Sequence, residues 1–123
     1  MKEIRNFIKE ASSWLKTPKP LGEMLEENRL LVLSRLVQFL HDGSNMERKY
    51  AAFCLGQIGD PIQMDELKTA FNRESVKGVK EAIGAALTVL AVAPSDKGST
   101  EEERRNIIQD VYDGKRPVKL VSW

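Results

Sequence analysis

Apolar residues recur at spacings of three and four along most of the chain, the mark of helices that bury one face. Residues 2–16 put Ile4, Phe7, Ile8, Ala11, Trp14 and Leu15 on one side of a predicted helix. Thr17-Pro18-Lys19-Pro20 ends it, because each proline disfavours helical geometry in its predecessor. A second helical region covers about 21–41, with Asn28 as a candidate break and Leu33, Leu36, Val37 and Leu40 inward. Asp42-Gly43-Ser44-Asn45 closes it. A third helix is predicted over 46–58. Gly59 can then supply a left-handed exit, Asp60 a cap, and Pro61 the first turn of the next helix. That fourth helix reaches about residue 72 with Met64, Leu67, Ala70 and Phe71 inward, and a fifth, rich in small residues, covers 75–93. After a polar loop, Thr100 and Glu103 fit a capping box, and Glu101, Glu102 and Glu103 complement the positive end of a helix. This last helix runs to about residue 113 and buries Ile107, Ile108, Val111 and Tyr112, leaving 114–123 as an extended basic tail.

The pattern repeats. Leu36-Val37-Gln38-Phe39-Leu40 aligns with Leu67-Lys68-Thr69-Ala70-Phe71 at an offset of 31 residues. Arg48, Ala51, Ala52, Leu55 and Ile58 align with Lys80, Ile83, Gly84, Leu87 and Leu90 at an offset of 32. The one-residue drift falls in turns, where insertions are tolerated best. Helix pairs at one period predict a stack in which each unit completes its core against its neighbours. Ala51, Ala52, Gly56, Gly84, Ala85 and Ala86 are small enough to let helices approach closely.

The stretch Arg48-Lys49-Tyr50-Ala51-Ala52-Phe53-Cys54-Leu55-Gly56-Gln57-Ile58-Gly59-Asp60-Pro61 resembles one unit of a HEAT-like helical repeat, and is similar to the repeats of phycobilin lyase subunits. The resemblance covers about residues 29–92. It implies an all-α, right-handed stack of antiparallel helix pairs, a HEAT-like α-solenoid of about five to seven helices. Residues 1–28 would form an N-terminal cap and 100–113 a C-terminal helix within one domain, 1–113. Such proteins present one helix of each pair along a binding surface. Here those helices are about 29–41 and 62–72, and their outward positions pair Ser34 with Asp65, Gln38 with Thr69 and His41 with Asn72. Arg35, Glu66 and Arg73 border the row. A polar row of mixed charge suits a protein partner. The tail adds Lys115, Arg116 and Trp123 as candidate contacts, since a buried tryptophan often dominates interface energy.

Composition narrows the function further. Lys and Arg total 19 against 18 Asp and Glu, so no strong overall field draws the chain to nucleic acid or membrane. The charge is nonetheless segregated: residues 1–20 carry +3, residues 21–47 carry −3 and the last ten residues +3. Arg73, Lys77 and Lys80 with the tail lysines and Arg116 form the only candidate basic face, which keeps nucleic-acid binding as an alternative. No apolar run approaches a membrane span, and the charged N-terminus lacks a signal-peptide core. A lone cysteine excludes an internal disulfide and suits the cytoplasm. Cys54 falls on an apolar face and reads as core, and His41, at a helix end, has no second ligand beside it. No nucleotide, hydrolase or metalloprotease motif occurs, so neither catalysis nor a cofactor is expected. An accessory role in lyase-type pigment attachment remains the enzymatic alternative, implied by the resemblance alone.

Overall fold

A computed structural model describes the backbone of residues 21–118 and the side chains of residues 32–118. The predicted helix over 2–16 and residues 119–123, Trp123 included, lie outside the described residues. Five α-helices occupy the described span: α1 (Leu21–Asp42), α2 (Asn45–Ile58), α3 (Met64–Arg73), α4 (Lys77–Val92) and α5 (Glu101–Tyr112). The described chain is all-helical, and no strand occurs in it.

Helix boundaries follow local chemistry closely. Ser44 caps α2 with a complete capping box: its Oγ accepts from the Glu47 N–H (3.3 Å), while Glu47 Oε1 accepts from the Ser44 N–H (2.8 Å). Gly59 ends α2 at φ +68°, donating its N–H to the Leu55 carbonyl (2.9 Å). Asp60 Oδ1 accepts from the Ile62 N–H (3.0 Å), and a 3₁₀ turn, Pro61–Gln63, leads into α3. At α5 only half of the expected box forms, Thr100 Oγ1 accepting from the Glu103 N–H (3.1 Å).

Two expectations are corrected. α1 continues through Asn28, since asparagine costs a helix only about 0.7 kcal/mol against alanine. The tail does not begin extended. Gly114, at φ +73°, turns the chain back, and the N–H groups of Lys115 and Arg116 donate to the Asp110 carbonyl (2.9 and 3.2 Å).

α2 is the axis of the packing. Every residue from Tyr50 to Ile58 is buried, and the helix lies against α1, α4 and α5. A Cβ on Gly56 would stand 3.1 Å from the Ala86 backbone and 3.2 Å from Ile108 Cδ1, so the missing side chain lets α2, α4 and α5 converge. α3 follows α2 in the chain but packs chiefly on α4 and makes only slight contact with α1. The repeat-matched positions share their environment: Ala51 and Ile83, Leu55 and Leu87, Ile58 and Leu90 are all buried. Each such Leu or Ile contributes about 1.5–3 kcal/mol through burial. One segment, Lys77–Lys97, is long and apolar enough by composition to cross a membrane, contrary to the sequence expectation. In the fold α4 spends that apolarity on neighbours, with Val79, Ala82, Ile83, Ala85, Ala86, Leu87, Val89 and Leu90 all buried.

Candidate functional site

The outward positions predicted for the helix row are exposed except His41, and they do not form one row. Asp65, Thr69 and Asn72 face solvent together from α3, on the side opposite the buried Leu67. Ser34 lies in a groove between α1 and the start of α3, with Leu33, Val37, Asp60, Ile62, Gln63 and Glu66. Arg35 and Gln38 turn away from it and line a separate hollow with Phe39, Asp42, Gly43 and Glu47. Successive residues on a helix point about 100° apart, which is why Ser34 and Arg35 serve different surfaces.

His41 is half-buried and bonded to Glu66, its Nε2 lying 2.5 Å from Glu66 Oε2. This contact ties α1 to α3 where their backbones barely touch. Below it is a polar cleft lined by Leu40, His41, Arg48, Ala70, Arg73, Glu74 and Ser75. Its floor is the Arg48–Glu74 pair: Nε donates to Glu74 Oε1 (2.8 Å) and Nη2 to Oε2 (3.0 Å). Arg48 also donates from Nη1 to the Gly43 carbonyl (2.9 Å) and from Nη2 to Asn45 Oδ1 (2.8 Å), which pins the α1–α2 turn. The guanidinium holds the Glu74 carboxyl below its ordinary value, and the carboxylate in turn raises Arg48. Glu74, 26 residues away in sequence, carried no signal that it would be this partner.

A second polar joint went unseen in the sequence. Arg104 is buried at the start of α5, donating from Nε to the Gln57 carbonyl (2.7 Å) and from Nη1 to the Ser99 carbonyl (2.8 Å) and Oγ (2.9 Å). Gln57, also buried, donates from Nε2 to the Glu101 carbonyl (2.7 Å). Arg104 thereby satisfies the Gln57 carbonyl, one of the last acceptors of α2 left without a partner inside its own helix, a structural task.

The remaining candidates fall apart as sites. Cys54 is fully enclosed, and burial pushes its thiol up to about 12. Among the described residues no group of three or more His, Cys, Asp and Glu side chains could hold a metal ion. Of the basic candidates, Lys80 lies over the Phe71 ring (4.7 Å), whereas Arg73 lines the polar cleft with Glu74. Lys115 is exposed and Arg116 half-buried at the turn after α5.

Among the described residues the most exposed large apolar side chain is Ile62, 74% exposed at the α1/α3 groove and not singled out by the sequence, ahead of Met46, Val92 and Val118. Comparison with protein-family models, with curated proteins and with solved structures returned no match.

Proposed function

We propose that this chain is a non-catalytic protein-binding adaptor or regulator, built on a HEAT-like helical stack and presenting the α1/α3 edge to a protein partner. The observation that carries the reading is Ile62, a large aliphatic side chain held on a capped turn and left 74% exposed beside Leu33 and Val37. Single exposed aliphatics are ordinary on soluble proteins, but this one opens into a groove with further apolar surface. Asp60 and Glu66 flank the groove, and Asp65 lies next to Glu66 on α3. That rim favours a partner segment pairing an apolar side chain with a basic one, and disfavours a phosphate backbone. A lone, enclosed thiol fits a cytoplasmic setting.

The test compares affinity capture by the wild-type chain, Ile62→Asp and Glu66→Lys, with helicity and melting temperature measured alongside. A specific partner retained by the wild type and lost with both folded variants supports the reading. Equal capture by all three overturns it.

A further inference from the structure

The turn after α5 sends the chain back across α4. Pro117 favours extended backbone in Arg116, and the next residue, Val118, reaches the middle of α4. There Gly84 has no side chain, and the space where its Cβ would stand lies 3.1 Å from Val118 Cγ1, 3.3 Å from Cγ2 and 3.5 Å from Phe71 Cε1. One helical turn earlier on the same face of α4, Lys80 covers the Phe71 ring. A glycine inside a helix is less favourable than alanine, and here it yields a shallow apolar saddle with a cation at its edge. The hold is shallow: Val118 remains 38% exposed, and the enclosed Arg116 Nε finds no acceptor, which opposes closure.

We propose that Phe71, Lys80 and Gly84 form a docking seat for an extended peptide, occupied in the resting chain by its own C-terminal segment through Val118. The seat lies on the α4 side of α3, away from the α1/α3 groove, and does not depend on that groove binding anything. A short tether keeps the segment at roughly millimolar effective concentration, so the tail shields the seat without being part of the core. An outside peptide must displace it.

The experiment uses the full-length chain and a fluorescently labelled synthetic peptide of residues 115–123. The Val118→Asp chain, its own tail released, should fold like the wild type and bind the peptide saturably. The wild-type chain should bind it at least about tenfold more weakly because its tail competes. A peptide carrying V118D should not bind, and Gly84→Val in the Val118→Asp chain should abolish capture. Equal binding to wild type and Val118→Asp overturns the proposal, as does no binding to a folded Val118→Asp chain. Unfolding by Val118→Asp would also overturn it, since the tail would then be core. Dimerisation of the wild type that Val118→Asp abolishes would overturn occupation in cis.

Discussion

Two arginines hold the ends of α2 in opposite ways. At its start, Arg48 meets a carboxylate, and the charge of each partner favours that of the other. At its end, Arg104 from α5 meets only carbonyls and a hydroxyl, and burial pushes its guanidinium down from its ordinary value, with Glu101 and Glu103 opposing that push. Arginine remains cationic in both settings. The first joint is therefore an ion pair whose strength follows the protonation of Glu74. The second is a set of charge-assisted hydrogen bonds to groups that do not titrate in the ordinary range.

The largest way to break the contrast is at the glycine beside the second joint. A Cβ on Gly59 would stand 2.2 Å from Arg104 Cδ, and the residue sits at φ +68°. Gly59→Ala is expected to lower stability by about 2–5 kcal/mol, combining left-handed strain with displacement of Arg104. Denaturant unfolding would show it. Arg104→Leu should cost about 2–3 kcal/mol by stranding the Gln57 and Ser99 carbonyls, and the loss should be the same at neutral and mildly acid pH.

Glu74→Gln should cost about 1–3 kcal/mol at neutral pH by leaving Arg48 without its counter-charge. Here the pH dependence sharpens the comparison. Glu74 has a folded-state pKa below its ordinary 4.5, so its contribution is complete above that value and is lost as pH falls through the lower, folded one. The gap between wild type and Glu74→Gln should therefore narrow in acid, whereas the Arg104→Leu gap should not. Parallel losses at all pH values would refute the ion-pair account. The smallest effect belongs to Ile62→Asp, expected within about 0.5 kcal/mol of wild type because the side chain is exposed.

The two joints also mark what a sequence can reveal. Much that is set by neighbours in the chain was legible: the Gly59 exit, the Asp60 cap, Pro61 in the next turn and the inward faces of α2 and α4. Ser44 and Glu47 had the spacing of a capping box, yet the reading of 42–45 as a helix stop hid the start of the next. Arg48 was visible as a repeat position, but not its partner, which another helix brings in. Arg104 stood between three glutamates and Arg105, a pattern indistinguishable from a solvated charged turn. The proposed surface was partly legible for a related reason: exposure of Ser34, Asp65 and Thr69 follows from helical period, whereas the separation of Ser34 from Gln38, one turn apart on α1, depends on how α1 meets α2 and α3.

The enclosure of Cys54 has a practical consequence. With no other thiol in the sequence and this one sealed within α2, a thiol-reactive dye can label the chain only when the centre of the domain opens. The protein thus carries a built-in clock for its own breathing, and the labelling rate of each variant would time the opening of the layers around α2 without an engineered labelling site.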